Sequence, residues 1–248
     1  RSLCTSTARR RRRTHGTREV CARASHRYVA DRMATSASLG AVVDVAASRH
    51  GALTRRQAAE AKLSSDAIAG LKRRGVLLEP APGLLVIAGS PDTFDRRLCA
   101  AGLIVDGKGA VGGVASGWIH RWDGIDGPPA RIELLVGDHR TIRTGTLPID
   151  VRRTRTAIPA GDVIRIGDVP VLGRARSLVE LAAVVDARTL ERYLDDFERR
   201  GCSLEWLEQT ASRLRTRGRS GPAAVLTDIA ARRARRNPIV RGSWFQRL

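Results

Sequence analysis

The side chains best suited to hold a metal or act as a nucleophile are thinly spread. Histidines stand at His15, His26, His50, His120 and His139, with no H-x-x-x-H or comparable ligand spacing. Cys4, Cys21, Cys99 and Cys202 are too scattered for a C-x-x-C metal pattern or a disulfide framework, and read as reduced thiols of a cytosolic protein. The glycine-rich "GKGAVGG" at 107–113 lacks the G-K-[ST] ending that a phosphate-binding P-loop needs. No G-x-S-x-G nucleophile elbow occurs either. His50, before Gly51, reads as part of a helix-ending turn. His120, flanked by Trp118 and Trp122, reads as packing or turn structure rather than as a site member, and Asp138-His139 as a solvated turn. The chain is therefore expected to be no enzyme, with no metal and no cofactor.

The chemistry that remains is cationic. Lys72, Arg73 and Arg74 close the stretch "LSSDAIAGLKRRG", and Arg55 and Arg56 open the preceding "RRQAAEAK". Groups of this kind grip phosphate oxygens and fix a protein's register on a duplex. Ser64 and Ser65 lie where the same segment would approach base edges, but serines beside Asp66 are weak base readers. The seven residues Arg55, Arg56, Ser64, Ser65, Lys72, Arg73 and Arg74 form the expected DNA-binding set. Loss of Lys72 or Arg73 is expected to weaken binding to all sequences alike.

Total charge overstates this case. The formal net charge is +19, which points to a polyanionic partner. Residues 1–32 carry a net +8 and residues 201–248 a net +7, leaving only +4 for the 168 residues between. Aromatics make up 4% of the chain, too few for the stacking platforms of a single-strand binder. No apolar run approaches the roughly 20 residues of a membrane span, so a soluble, cytoplasmic protein is expected.

The elements that must position the cations are legible from 39 to 89. Leu39, Val42, Val43 and Ala46 recur at i, i+3, i+4, i+7, one face of a helix that Gly51 can end. Thr54 and Gln57 form a T-x-x-Q capping box for a second helix. Ser64 is a good N-cap for a third. Leu63 and Ile68 form its hydrophobic staple, Asp66 suits its positive end, Lys72–Arg74 suit its negative end, and Gly75 supplies the left-handed stop. Two apolar runs follow, Val76–Leu78 and Leu84–Ala88, parted by a Pro/Gly turn. Helices followed by a hairpin predict a winged helix-turn-helix over 36–89.

From Thr93 an α+β mixture is expected. "DTFDRRLCAAGLIV" and "AVGGVASGWIHRWDGI" read as helices. "RIELLVGD", "LPIDVRR" and a pair turning at Gly167-Asp168 read as strands. "RSLVELAAVVDARTLERYLDDFERRG" reads as helical, with Leu178, Leu181, Ala182 and Val185 on one face and Leu190, Tyr193, Leu194 and Phe197 on another. Two further amphipathic helices follow.

"HGALTRRQAAEAKLSSDAIAGLKRRGVLLEPAPGLLVIAG" resembles the N-terminal winged helix of AbiEi-type antitoxins of the type IV toxin–antitoxin class from actinobacteria. "VASGWIHRWDGI", "RIELLVGDHR", "IGDVPVLGRARSLVELAAV" and "LERYLDDFERRG" resemble the body that follows it in such proteins. Gly112 and Gly113 stand where that family tends to have Ser-His, and Leu172 where it tends to have Thr. The resemblance implies an α+β antitoxin-body domain at 92–200 and a helical extension at 201–238. It also implies a transcriptional regulator that binds double-stranded operator DNA and counters a nucleotidyltransferase toxin.

In many such proteins the architecture runs on into a Vsr-like, restriction-endonuclease-type domain. "RGSWFQRL" resembles its opening, at 239–248, so the alternative is the non-catalytic front part of a truncated Vsr-like nuclease. At the other end, residues 1–34 are expected to form a disordered basic leader. Translation is expected to start at Met33, the lone methionine, with a basic nucleic-acid-binding arm or a transit peptide as the alternatives.

Overall fold

The computed structural model describes residues 39–105, 107–137, 141–155 and 157–236. The expected leader, Asp138-His139 and the nuclease-like segment lie outside these residues. The fold is α+β, with two sheets and nine helices among the described residues. No described helix is long and apolar enough to cross a membrane.

The front unit follows its local signals closely. Helix α1, residues 39–47, ends at His50 and Gly51, both at positive φ, where the Gly51 N–H reaches back to Ala46 O at 2.8 Å. Strand β1 (Ala52–Thr54) leads into α2 (Arg55–Glu60). Both halves of the Thr54–Gln57 capping box are made: the Gln57 N–H donates to Thr54 Oγ1 at 3.1 Å, and the Thr54 N–H to Gln57 Oε1 at 2.8 Å. Helix α3 (Ser65–Arg73) starts under the Ser64 hydroxyl, which accepts the Ala67 N–H at 3.2 Å, and stops at Gly75 with φ +70°. Strands β2 (Leu77–Ala81) and β3 (Leu84–Ile87) form an antiparallel hairpin, and β1 adds to β3, giving the order β1-β3-β2. The β2 ladder shifts register between Leu78 and Ala81. Pro80, with no N–H to give, lies in that interval.

Two expectations needed correction here. Val43 is 44% exposed, because the buried stripe of α1 runs through Val42 and Ala46 instead. Strand β1 was not foreseen, since three residues show no alternation to read.

The body is built on a five-stranded mixed sheet. Its strands are β4 (Gly109–Gly112), β5 (Ile132–Gly137), β6 (Ile149–Thr154), β7 (Val163–Ile166) and β8 (Val169–Leu172), in the order β6-β5-β4-β8-β7. Pairs β5–β6 and β4–β8 are parallel, while β4–β5 and β7–β8 are antiparallel. The β7–β8 hairpin turns at Gly167 (φ +57°), as its Gly-Asp pair predicts. Within "AVGG", Ala110–Gly112 belong to strand β4 rather than to a helix, and Gly113 opens α5, which covers Gly113–His120. Both glycines are closely packed: a Cβ on Gly113 (φ +53°) would come 3.0 Å from the Glu133 side chain, and one on Gly112 3.2 Å from Leu172.

The long helical stretch from 176 to 201 is also two elements, α6 (Arg174–Leu181) and α7 (Ala187–Arg199). The break is marked by Asp186, whose carboxylate caps α7 by accepting the Thr189 N–H at 2.7 Å. Helices α8 (Leu204–Leu214) and α9 (Ser220–Arg236), in the expected helical extension at 201–238, pack against α6 and α7. Leu207, Ala211, Val225 and Ile229 share one buried cluster with Leu178, Leu194 and Phe197.

Helix α4 (Phe94–Val105) joins the two units. Leu98, Ala101 and Val105 enter the core of the large sheet, while Ala100 packs with Ala52, Ala81, Leu84 and Val86 of the front sheet. A close backbone approach adds to this contact, because the Thr146 N–H donates to Pro80 O at 2.8 Å. Arg49 of the front unit pairs with Asp168 at the β7–β8 turn.

Candidate nucleic-acid interface

The seven expected DNA-binding residues fall on one front unit but not into one chemical state. Arg55 opens α2 and forms a two-pronged pair with Glu79 of β2, with Nε–Oε1 and Nη2–Oε2 both 2.8 Å. Lys72 Nζ reaches the same carboxylate, and the Gly83 N–H donates to Glu79 Oε1 at 3.0 Å. Glu79 thus ties the start of α2, the end of α3 and the hairpin turn together. The Arg55 and Lys72 hydrogen bonds hold its carboxyl well below the usual carboxylate range, against the opposing effect of burial.

Arg56 is solvent-exposed and pairs weakly with Glu60 across one helical turn at 3.8 Å. Ser64 spends its hydroxyl on the α3 cap. Ser65 is exposed beside an equally exposed Asp66. Arg73 and Arg74 are exposed and have no carboxylate partner among the described residues. Of the cations predicted to contact phosphate, these two are the ones fully available to an outside anion. The residue that sequence reasoning missed is Glu79. Its signal was an acid in an otherwise apolar hairpin strand, seven residues after Lys72.

His120 is buried, its Nε2 2.7 Å from Leu172 O, and its ring meets Trp122 edge-on at 6.4 Å. Burial pulls its pKa down, against the opposing effect of the Leu172 hydrogen bond. Ser116 and Ser177 share a buried hydrogen bond of 2.6 Å, so the "VASGWIH" and "GRARS" segments are stitched together by polar contacts in the core. Trp122 stacks on Phe197 at 6.1 Å with the rings 4° from parallel. Cys99 and Cys202 are free and half-buried. Among the described residues, no group of three or more His, Cys, Asp or Glu could hold a metal ion.

A second set of cations surrounds two buried carboxylates in the body. Arg176, 1% exposed, lies between Glu180 at 2.8 Å and Asp162 at 3.1 Å. Glu180 also receives Arg152 at 2.9 Å and Arg219 at 2.5 Å, and Asp162 receives Arg213 at 2.6 Å. Burial pushes the Glu180 carboxyl up, but Arg176, Arg152 and Arg219 outweigh it and leave the group below its ordinary value. Glu133 goes the other way, because its burial exceeds the help it gets from Arg152.

No protein-family model and no curated protein matches the chain. Among solved structures, the crystal structure of the RV2827C protein from Mycobacterium tuberculosis is similar at a TM-score of 0.49 and 20% identity, over 76% of this chain and 75% of that one.

Proposed function

We propose that the chain is a DNA-binding regulator of antitoxin type, whose front unit is a winged helix that grips the phosphate backbone of an operator duplex. The observation that carries this reading is the order helix, strand, helix, capped helix, hairpin, closed by a β1-β3-β2 sheet, with Arg73 and Arg74 uncommitted at the end of α3. In such a unit the third helix enters the major groove and the hairpin flanks it. Here Arg73, Arg74 and Arg56 would contact phosphates. The N-terminal turn of α3 offers Ser65 and Asp66 to the bases, so the unit positions well and discriminates weakly. The resemblance to AbiEi-type antitoxins supports the same reading. It adds an operator upstream of the protein's own gene and a nucleotidyltransferase toxin as counterpart.

The test is a gel-shift titration with duplex from the region upstream of the gene, at two salt concentrations. A complex that weakens steeply with salt is expected, because phosphate contacts release counterions. No complex at low salt sinks the proposal.

A further inference from the structure

A concave cavity of about 540 Å³ opens on the face of the body where the edge strand β6 meets α6, the end of α8 and the start of α9. That size lies in the small-ligand range of roughly 300–1,000 Å³. Its walls hold six arginines. Arg152, Arg153 and Arg155 come from the β6 end, and Arg213, Arg217 and Arg219 from the α8–α9 connection. Glu180 is the one carboxylate lining it.

Half of these guanidiniums have inward duties, and the charges do not balance. With Arg176, which lies behind the wall, seven arginines stand against the three carboxylates Glu133, Asp162 and Glu180, an excess of +4. Arg153, Arg155 and Arg217 are exposed and have no carboxylate partner among the described residues. Arg152 places Nη2 3.0 Å from Glu133 and 2.9 Å from Glu180, yet its Nε is buried without a hydrogen-bond partner.

The cavity is rigidly built. A Cβ on Gly221 would fall 2.3 Å from Val179 O, so the start of α9 is held tight against α6. The first-turn N–H groups of this 17-residue helix, which lack intrahelical acceptors, border the cavity at Ser220 and Gly221.

We propose that this cavity binds the di- or triphosphate group of a small phosphorylated ligand, with Arg155 and Arg217 as its direct grips. A phosphomonoester carries about two negative charges, half of the local excess, whereas a di- or triphosphate comes near to neutralising it. The arginines converge from two walls on a recess, which suits a compact polyanion. A duplex, whose phosphates lie on a convex surface, fits it poorly.

The test uses isothermal titration calorimetry on the full chain with inorganic pyrophosphate, ATP and, as a third arm, a DNA duplex. Arg155→Ala/Arg217→Ala is the informative variant, because neither side chain serves a buried carboxylate and circular dichroism should show an unchanged fold. Pyrophosphate and ATP are expected to bind the wild type and to bind the double variant at least about tenfold more weakly per guanidinium lost. Arg73→Ala/Arg74→Ala is expected to leave pyrophosphate binding unchanged, which separates this site from the front unit. Three outcomes each overturn the proposal. They are no heat from either phosphate with the wild type, equal affinity in the double variant, and a double variant that loses duplex but not pyrophosphate.

Discussion

In the proposed DNA complex, the salt dependence of binding separates cations that contact phosphate from those that hold the protein together. Each cation that neutralises a B-DNA phosphate contributes about 0.9 to the slope of log affinity against log salt. Arg73 and Arg74 are exposed and have no carboxylate partner among the described residues, so Arg73→Ala/Arg74→Ala should flatten that slope by about 1.8. Between about 50 and 200 mM salt this amounts to roughly 1.1 log units, so the affinity gap between wild type and variant should narrow about twelvefold. Lys72 makes the contrast. Its Nζ already faces Glu79, which Arg55 also holds, so Lys72→Ala should leave the slope nearly unchanged. Sequence alone ranks Lys72 and Arg73 equally; the structure ranks them apart. Fluorescence anisotropy with the operator duplex and a scrambled duplex, over four salt concentrations, gives the slopes of the wild type, Lys72→Ala, Arg73→Ala and the double variant. Equal slopes for Lys72→Ala and Arg73→Ala would refute the reasoning, as would a double variant with the wild-type slope. A loss confined to the operator would show base reading where phosphate contact is expected.

Two further outcomes follow from the ion clusters. Because the folded-state pKa of Glu79 is depressed, its contribution to stability is complete above the unfolded value of about 4.3 and is lost as pH falls below it. Urea midpoints taken from pH 5 to pH 3 should therefore drop more steeply in the wild type than in Glu79→Gln, and parallel curves would count against the Glu79 cluster. Replacing Arg176 with Met strands part of the charge on Glu180 and Asp162 in the core, a change that costs about 3 kcal/mol when one member of a buried pair is removed. Calorimetric unfolding that reveals less than about 1 kcal/mol would mean that Arg152, Arg213 and Arg219 suffice without it.

The parts of the fold legible in the sequence were those written in local chemistry. Thr54–Gln57, Ser64, Gly75 and Gly167 mark caps and turns within a few residues of themselves, and each appears in the structure as its type demands. What escaped had a non-local cause. Strand β1 exists because β3 lies beside it, pairing Leu53 with Leu85. Ala110–Gly112 form a strand because Leu134 and Leu135 flank them across the sheet, although their small side chains suit a helix equally well. The split between α6 and α7 was readable, since Asp186 is a strong N-cap in mid-run, but continuous apolar periodicity on both sides concealed it. In the candidate interface, the cations were visible and their partners were not. Glu79 lies 24 residues from Arg55, and no spacing rule predicts that pair.

That last point limits what a basic composition means in this chain. Arginine is plentiful, yet in the described residues the side chain is used repeatedly as internal structure. Arg176 is among the largest fully buried side chains, and Arg152, Arg213 and Arg219 converge on carboxylates around it. Arg232 joins Asp195 and Glu198, and Arg233 holds Glu208, fastening α9 to α7 and α8. A guanidinium suits such roles because its planar fork makes several directed hydrogen bonds while staying ionised. Binding capacity therefore depends on cations left without an internal acid and on how they are grouped. In the front unit Arg73 and Arg74 are of this kind, at the end of a capped helix. In the body Arg153, Arg155 and Arg217 are among them, around a recess. The two groups differ in shape, one on a protruding helix end and one in a concavity. A single polyanion fits both geometries poorly, so the proposed pairing of an extended duplex with the first and a compact phosphate with the second uses each cation where it stands.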